Sequence, residues 1–206
     1  FRINTFTHIL EGYKLADKMA QRKIGGSAFA DWWAYKMEVK EAIPYNAALM
    51  AKEGITVAIN SDDAEMARRL NQEAAKTITF GGVSETEALN MVTLNPAKLL
   101  GMDHRIGSIK AGKDADLVLW NDHPLSVYAR PEYTLIEGKV YFSREEDRQR
   151  QQRMTAEKAR LIQKSLDAKS GGESMQPPQS VRPRMWHCED IIGEHAEHHD
   201  HGEVHR

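Results

Sequence analysis

A single cysteine, Cys188, is present among 206 residues, so no disulfide can close within the chain, and one thiol does not disclose a redox compartment. Long apolar runs are lacking too. No stretch approaches the roughly 18 residues that a membrane span requires, and no basic-then-apolar leader is visible. Nor does charge of one sign dominate, because 28 Lys and Arg stand against 30 Asp and Glu, for a net charge of -2 at pH 7. That balance supplies no field for a polyanion and argues against nucleic acid as a partner. An initiating methionine is absent as well. The chain opens on Phe1 in what looks like the inside of a strand, and it is read as the C-terminal piece of a longer protein.

What is present is an ordinary globular composition, 41% hydrophobic and 28% charged, sufficient for one or two domains. The stretch from Ile3 to His8 alternates in β-formers and runs into a helical pattern at residues 9–23. "GGSAFA" is a short candidate strand, followed by the aromatic "DWWAYKMEVKEA" and a helix that starts near Pro44 and stops at Gly54. "ITVAI" is a continuous apolar run, the mark of a strand covered on both faces, and the helix after it sets Met66, Leu70, Ala74 and Ile78 along one stripe. Three strand–helix units in succession predict a parallel sheet flanked by helices, because parallel strands need crossovers.

Beyond Gly81 the pattern changes. Ser84 and Glu87 form a capping-box signature, Asn95-Pro96 opens a second short helix, and Gly101 ends it. "IGSIKAGKDADLVLW" then predicts two strands joined through a glycine turn, and "YTLIEGKVYF" predicts a hairpin turning at Glu137-Gly138-Lys139. Residues 144–170 are mostly Arg, Glu, Gln and Lys and predict a solvated helix. From Gly171 the composition is that of a linker, and residues 187–206 hold six of the nine histidines.

Two polar groups stand out against this framework. His8 closes the first strand and Asp62 follows the third, which places both at the carboxyl edge of a parallel sheet, where such folds build their sites. An imidazole and a carboxylate on one rim suit a divalent metal such as zinc, with donor distances of about 2.0–2.2 Å. A metal lowers the pKa of its water from about 15.7 to about 7, and a neighbouring carboxylate can then carry the proton to a leaving group. The structural alternatives are plain. An Asp at a strand-to-helix junction is commonly an N-cap, and Asp62 with Glu65 three residues on fits a capping box. The doublet separates the two roles, with Asp63 the cap and Asp62 left over. A lone His at a strand end is most often a hydrogen-bonded structural residue.

The run "SETEALNMVTLNPAKLLGMDHRIGSIKAGKDADLVLWNDHPL", Ser84 to Leu125, resembles the C-terminal signature of the amidohydrolase superfamily. The likeness extends upstream through "FTHILEGYKLADKM", "DWWAYKMEV" and "INSDDAEMARRLNQEA", which look like the imidazolonepropionase-related and prolidase-like members, so it covers roughly residues 1–142. The resemblance implies an α/β fold: the last three units of a (β/α)8 TIM barrel over residues 1–104, a small antiparallel β-sandwich segment over 105–142, and a charged helix with a histidine-rich tail over 143–206. By position, His8 corresponds to the histidine ending the sixth barrel strand, a metal ligand. Asp62 corresponds to the aspartate ending the eighth, which binds metal and acts as general acid/base. Asp31 and Trp32 follow the seventh strand and would line the substrate pocket, although an aromatic pair there is equally suited to packing. The family's remaining ligands on the first, fourth and fifth strands have no counterparts in this chain.

The function these features imply is hydrolysis of a carbon–nitrogen bond in a small cyclic or dipeptide-like amide, with one or two zinc ions as cofactor and room for a homo-oligomer. The chain by itself is expected to be inactive. The alternative is a non-catalytic metal-binding or scaffold protein with a degenerate barrel, in which His187, Cys188, His195, His198, His199, His201 and His205 do the holding. Against that, the tail matches no zinc-finger spacing and also suits a plain polar terminus.

Overall fold

A computed structural model describes residues 3–34, 36–174 and 176. The chain divides at Met154/Thr155. In the first unit, strands β1 (Thr5–Phe6), β2 (Gly25–Ala28) and β3 (Val57–Ile59) form one parallel sheet in the order β1-β2-β3. Its register pairs Thr5 with Gly25 and Ser27 with Ala58. Every residue of β2 and β3 is buried, as the unbroken apolar run at β3 requires when helices cover both faces.

The crossovers are helical. A 3₁₀ turn (Gly12–Leu15) and helix α1 (Ala16–Gln21) return from β1 to β2, and α2 (Asn46–Lys52) returns from β2 to β3. The helix expected after β3 is divided into α3 (Ala64–Ala67) and α4 (Leu70–Gly81), with Gly82 in the left-handed conformation at the C-terminal end. The apolar stripe survives the break: Met66 and Ala74 are buried, and Leu70 and Ile78 are partly buried against the same core. Helices α5 (Glu85–Asn90) and α6 (Leu94–Leu99) follow. Ser84 caps α5 through the reciprocal box with Glu87, and Pro96 lies in the first turn of α6, where its missing N–H costs nothing. The core joins Met19, Met50, Val57, Ile59, Ala74 and Met91.

The second sheet is antiparallel, ordered β4 (Leu117–Trp120), β5 (Pro131–Ile136), β6 (Lys139–Ser143). Strands β5 and β6 meet at the two-residue loop Glu137-Gly138, both at positive φ (49° and 79°), the geometry that matches strand twist in a tight hairpin. Lys139 belongs to β6 rather than to the turn. The strand expected over 106–111 does not form. That segment is stitched locally instead, with the Lys113 ammonium donating to the carbonyls of Asp103 and Ile106 and to the Ser108 hydroxyl, and the Asp114 N–H donating to the Arg105 carbonyl. Among the described residues, β4, β5 and β6 form the one sheet of this part of the chain.

Helix α7 (Arg144–Ser170) has no buried residue, as its composition predicts; Thr155 onward belongs to the second unit. No helix among the described residues is long and apolar enough to cross a membrane.

Candidate functional site

Because β1, β2 and β3 run parallel, the residues that follow them emerge on one edge: His8 after β1, Phe29 to Trp32 after β2, and Asn60 to Asp63 after β3. Across that edge the His8 Nε2 lies 3.0 Å from the Asp62 Oδ1. Their side chains are 51% and 56% exposed, so the pair faces solvent rather than serving as a core contact.

His8 sits at φ 56°, a left-handed conformation that is uncommon outside glycine, with Asn, Asp and His the residues that adopt it most often. The residue after it holds the turn. The Ile9 N–H donates to the Ser27 carbonyl on β2 at 2.9 Å, and the Ile9 carbonyl accepts from the Asn46 Nδ2 at 2.8 Å. Asn46 is 2% exposed, and its Oδ1 accepts from the Tyr13 N–H at 2.9 Å. A buried amide in the first turn of α2 thus ties the residue after the imidazole to the 3₁₀ turn that follows it. Its trace in the sequence is a polar residue sharing the buried face of Ala47 and Met50.

The acidic doublet divides its labour. The Asp63 Oδ1 accepts from the N–H groups of Glu65 (2.8 Å) and Met66 (3.0 Å), the cap of α3, and the Asp63 N–H donates to the Ser61 hydroxyl at 3.0 Å. With the helix end satisfied by its neighbour, Asp62 is left to face His8. The Asn60 amide, next in line on the β3 side, is shielded from solvent at both Oδ1 and Nδ2 and has no hydrogen-bond partner among the described residues. The same holds for the Thr5 hydroxyl on β1.

Asp31 and Trp32 part company. The Asp31 carboxylate accepts from the Lys76 ammonium, which also donates to both oxygens of Glu73 at 2.9 and 3.0 Å. Glu73 is 1% exposed, and its burial pushes its carboxyl pKa up. Trp32, at φ 65°, stacks on Phe29 with centroids 4.8 Å apart and planes 16° apart. Phe29 in turn lies 5.4 Å from the His8 ring. Phe29, Glu73 and Lys76 were not marked out in the sequence as site residues; a charged side chain on the buried stripe of α4 is the signal that singles out Glu73.

Imidazole and carboxylate are donors of the kinds zinc accepts, so the pair fits part of such a site. Two donors are too few to hold the ion, and among the described residues no group of three or more His, Cys, Asp or Glu side chains comes together. The histidine-rich tail at 187–206 lies outside the described residues.

A family model described as the Amidohydrolase family matches residues 39–143. The chain is 36% identical over 148 residues to Amidohydrolase tasK of Hapsidospora irregularis, covering 69% of this chain and 15% of that protein. Among solved structures it is similar to an amidohydrolase from Thermotoga maritima MSB8, with a TM-score of 0.64 and 33% identity over 68% of this chain and 37% of that one. A zinc-bound adenosine deaminase from Xanthomonas campestris shares the fold at a TM-score of 0.50 and 22% identity, covering 68% of this chain and 37% of that one. The chain therefore spans well under half the length of each of these relatives.

Proposed function

Since the chain belongs to the amidohydrolase family, we propose that it forms the carboxyl-edge part of a metal-dependent hydrolase cleaving a carbon–nitrogen bond in a small cyclic or dipeptide-like amide. The observation that carries this reading is the 3.0 Å approach of His8 and Asp62 across one rim of a parallel sheet, exposed to solvent and relieved of capping duty by Asp63.

On this reading β1, β2 and β3 are the last three strands of a (β/α)8 barrel, and residues 105–142 belong to a small β-sandwich segment. The sequence-order strand pairing supports it, as does the similarity to a chain of which the match covers only 37%. So do the unpartnered Thr5 hydroxyl and Asn60 amide, since shielded polar groups ordinarily find partners and these two lie at the outer strands of the sheet.

The His8 Nε2 and the Asp62 carboxylate would hold the metal, zinc by donor preference and one or two ions in number, together with donors outside the described residues. When bound, that ion makes water a nucleophile near neutral pH. The residues of this chain do the rest. Asp62 takes the proton of the attacking water at its carboxylate and delivers it to the departing nitrogen, a role its exposure allows. His8 is kept in place by the Asn46 and Ser27 contacts to Ile9. Trp32 presents an aromatic wall for the substrate, and Asp31, held by Lys76, fixes the loop that displays it.

The test is Asp62→Asn in the longest polypeptide that contains this chain, assayed on a panel of cyclic amides and dipeptides. Loss of the proton carrier should lower kcat by about 10²–10⁴-fold. Hydrolysis that persists at the unsubstituted rate refutes the assignment.

A further inference from the structure

A chain of contacts runs from the interior of α4 to the rim. Glu73, almost wholly buried, holds the Lys76 ammonium with both oxygens, and the same ammonium holds Asp31. Asp31 immediately precedes Trp32, whose left-handed backbone turns the indole back onto Phe29, and Phe29 is the ring against which His8 rests. His8 itself is half exposed, so on this flank Phe29 is the aromatic wall that limits how its imidazole can turn.

The geometry points to Lys76 as a positioning residue for the site, acting through Asp31 and the Phe29–Trp32 stack to hold the His8 ring in the orientation that meets Asp62. This rests on the hydrolase reading for its purpose but not for its geometry. The ammonium is fixed at the α4 end by two bonds to a buried carboxylate, so the helix is the anchor and the loop after β2 is the part secured. Severing the Asp31 bond frees the loop to relax from its left-handed turn, the stack loosens, and the imidazole loses its wall.

The experiment uses the 206-residue chain labelled with ¹³C and ¹⁵N, and reads nuclear Overhauser effects between the Phe29 and His8 rings and between the Phe29 ring and the Trp32 indole. Both are present in the unsubstituted chain. In Asp31→Ala, which removes the acceptor and leaves Lys76 on Glu73, the Phe29–His8 effect falls by about two- to threefold, the inverse-sixth-power change for a displacement of roughly 0.5–1 Å from 5.4 Å. Lys76→Met gives the same loss. If that variant does not fold, because the buried Glu73 keeps only the 3.9 Å pair with Arg69, Asp31→Ala decides alone. Arg105→Met, which removes the 2.7 Å pair with Asp114, leaves both effects unchanged and controls for general loosening. An unchanged Phe29–His8 effect in Asp31→Ala, an equal loss in Arg105→Met, or the absence of the effect from the unsubstituted chain would each overturn the assignment. None of these signals involves turnover, so an Asp62→Asn enzyme that still hydrolyses amides would refute the proposed function and leave this result standing.

Discussion

Alanine at each position of the acidic doublet should separate folding from chemistry. Asp63 supplies the side-chain acceptor for the first turn of α3, taking the N–H groups of Glu65 and Met66 at 2.8 and 3.0 Å. Removing an aspartate N-cap costs about 1 kcal/mol, within a range of roughly 0.5–2. The upper part of that range applies here if Met66, buried on the inner face of the same turn, is pulled out of register when the cap goes. Among the described residues the Asp62 side chain makes one hydrogen bond, to His8, with both side chains about half exposed, and such a pair is worth about 0.5 kcal/mol or less. Urea unfolding followed by helical circular dichroism resolves the difference: at a slope of about 2 kcal/mol per molar, Asp63→Ala lowers the midpoint by roughly 0.5 M. Asp62→Ala should leave the midpoint within about 0.25 M of the unsubstituted chain. Equal shifts for the two variants, or a larger one for Asp62→Ala, would refute the division of roles and with it the claim that Asp62 is spare for function.

Two further outcomes test the packing and the capping. Gly81 lies where a Cβ would fall 1.9 Å from the Cβ of Ala48, so Gly81→Ala forces α4 off α2 and should cost about 1–3 kcal/mol, read as a lowered thermal midpoint; an unchanged midpoint would show that the two helices are free to slide apart. Glu87 is held below the usual carboxylate range near 4.5 by the Ser84 N–H and hydroxyl. Its contribution is therefore fully present above that value and is lost as pH falls through the lower folded pKa. Between about pH 5 and 3 the unsubstituted chain should lose more stability than Glu87→Gln, and superimposable pH profiles would count against the capping box as an acid-sensitive element.

The strands and caps were legible because their causes are local. The run "ITVAI" announces a strand buried on both sides, the Ser84–Glu87 spacing announces its own cap, and Glu137-Gly138 announces a turn of positive φ. The break between α3 and α4 was not legible, since an apolar stripe of helical period passes through a short interruption without losing phase. "IGSIKAG" alternates as a strand should, yet the backbone groups of its neighbourhood are taken by Lys113 and Asp114, a local competition that periodicity does not register. The meeting of His8 with Asp62 followed from topology alone, because parallel strands put their ends on one edge. The tie from Glu73 through Lys76 to Asp31 spans 45 residues between its last two members, and no spacing rule reaches that far.

The backbone around the rim turns left-handed at His8, Trp32 and Ala34, none of them glycine. Such turns are more comfortable for Gly or Asn, so a change to either of these at such a position relaxes the loop instead of breaking it. A lineage freed from selection on hydrolysis could shed its imidazole and keep, or even gain, resistance to unfolding. Descendants of this architecture that have gone silent as enzymes should therefore look healthy as folded proteins, and their silence would be readable first at residue 8.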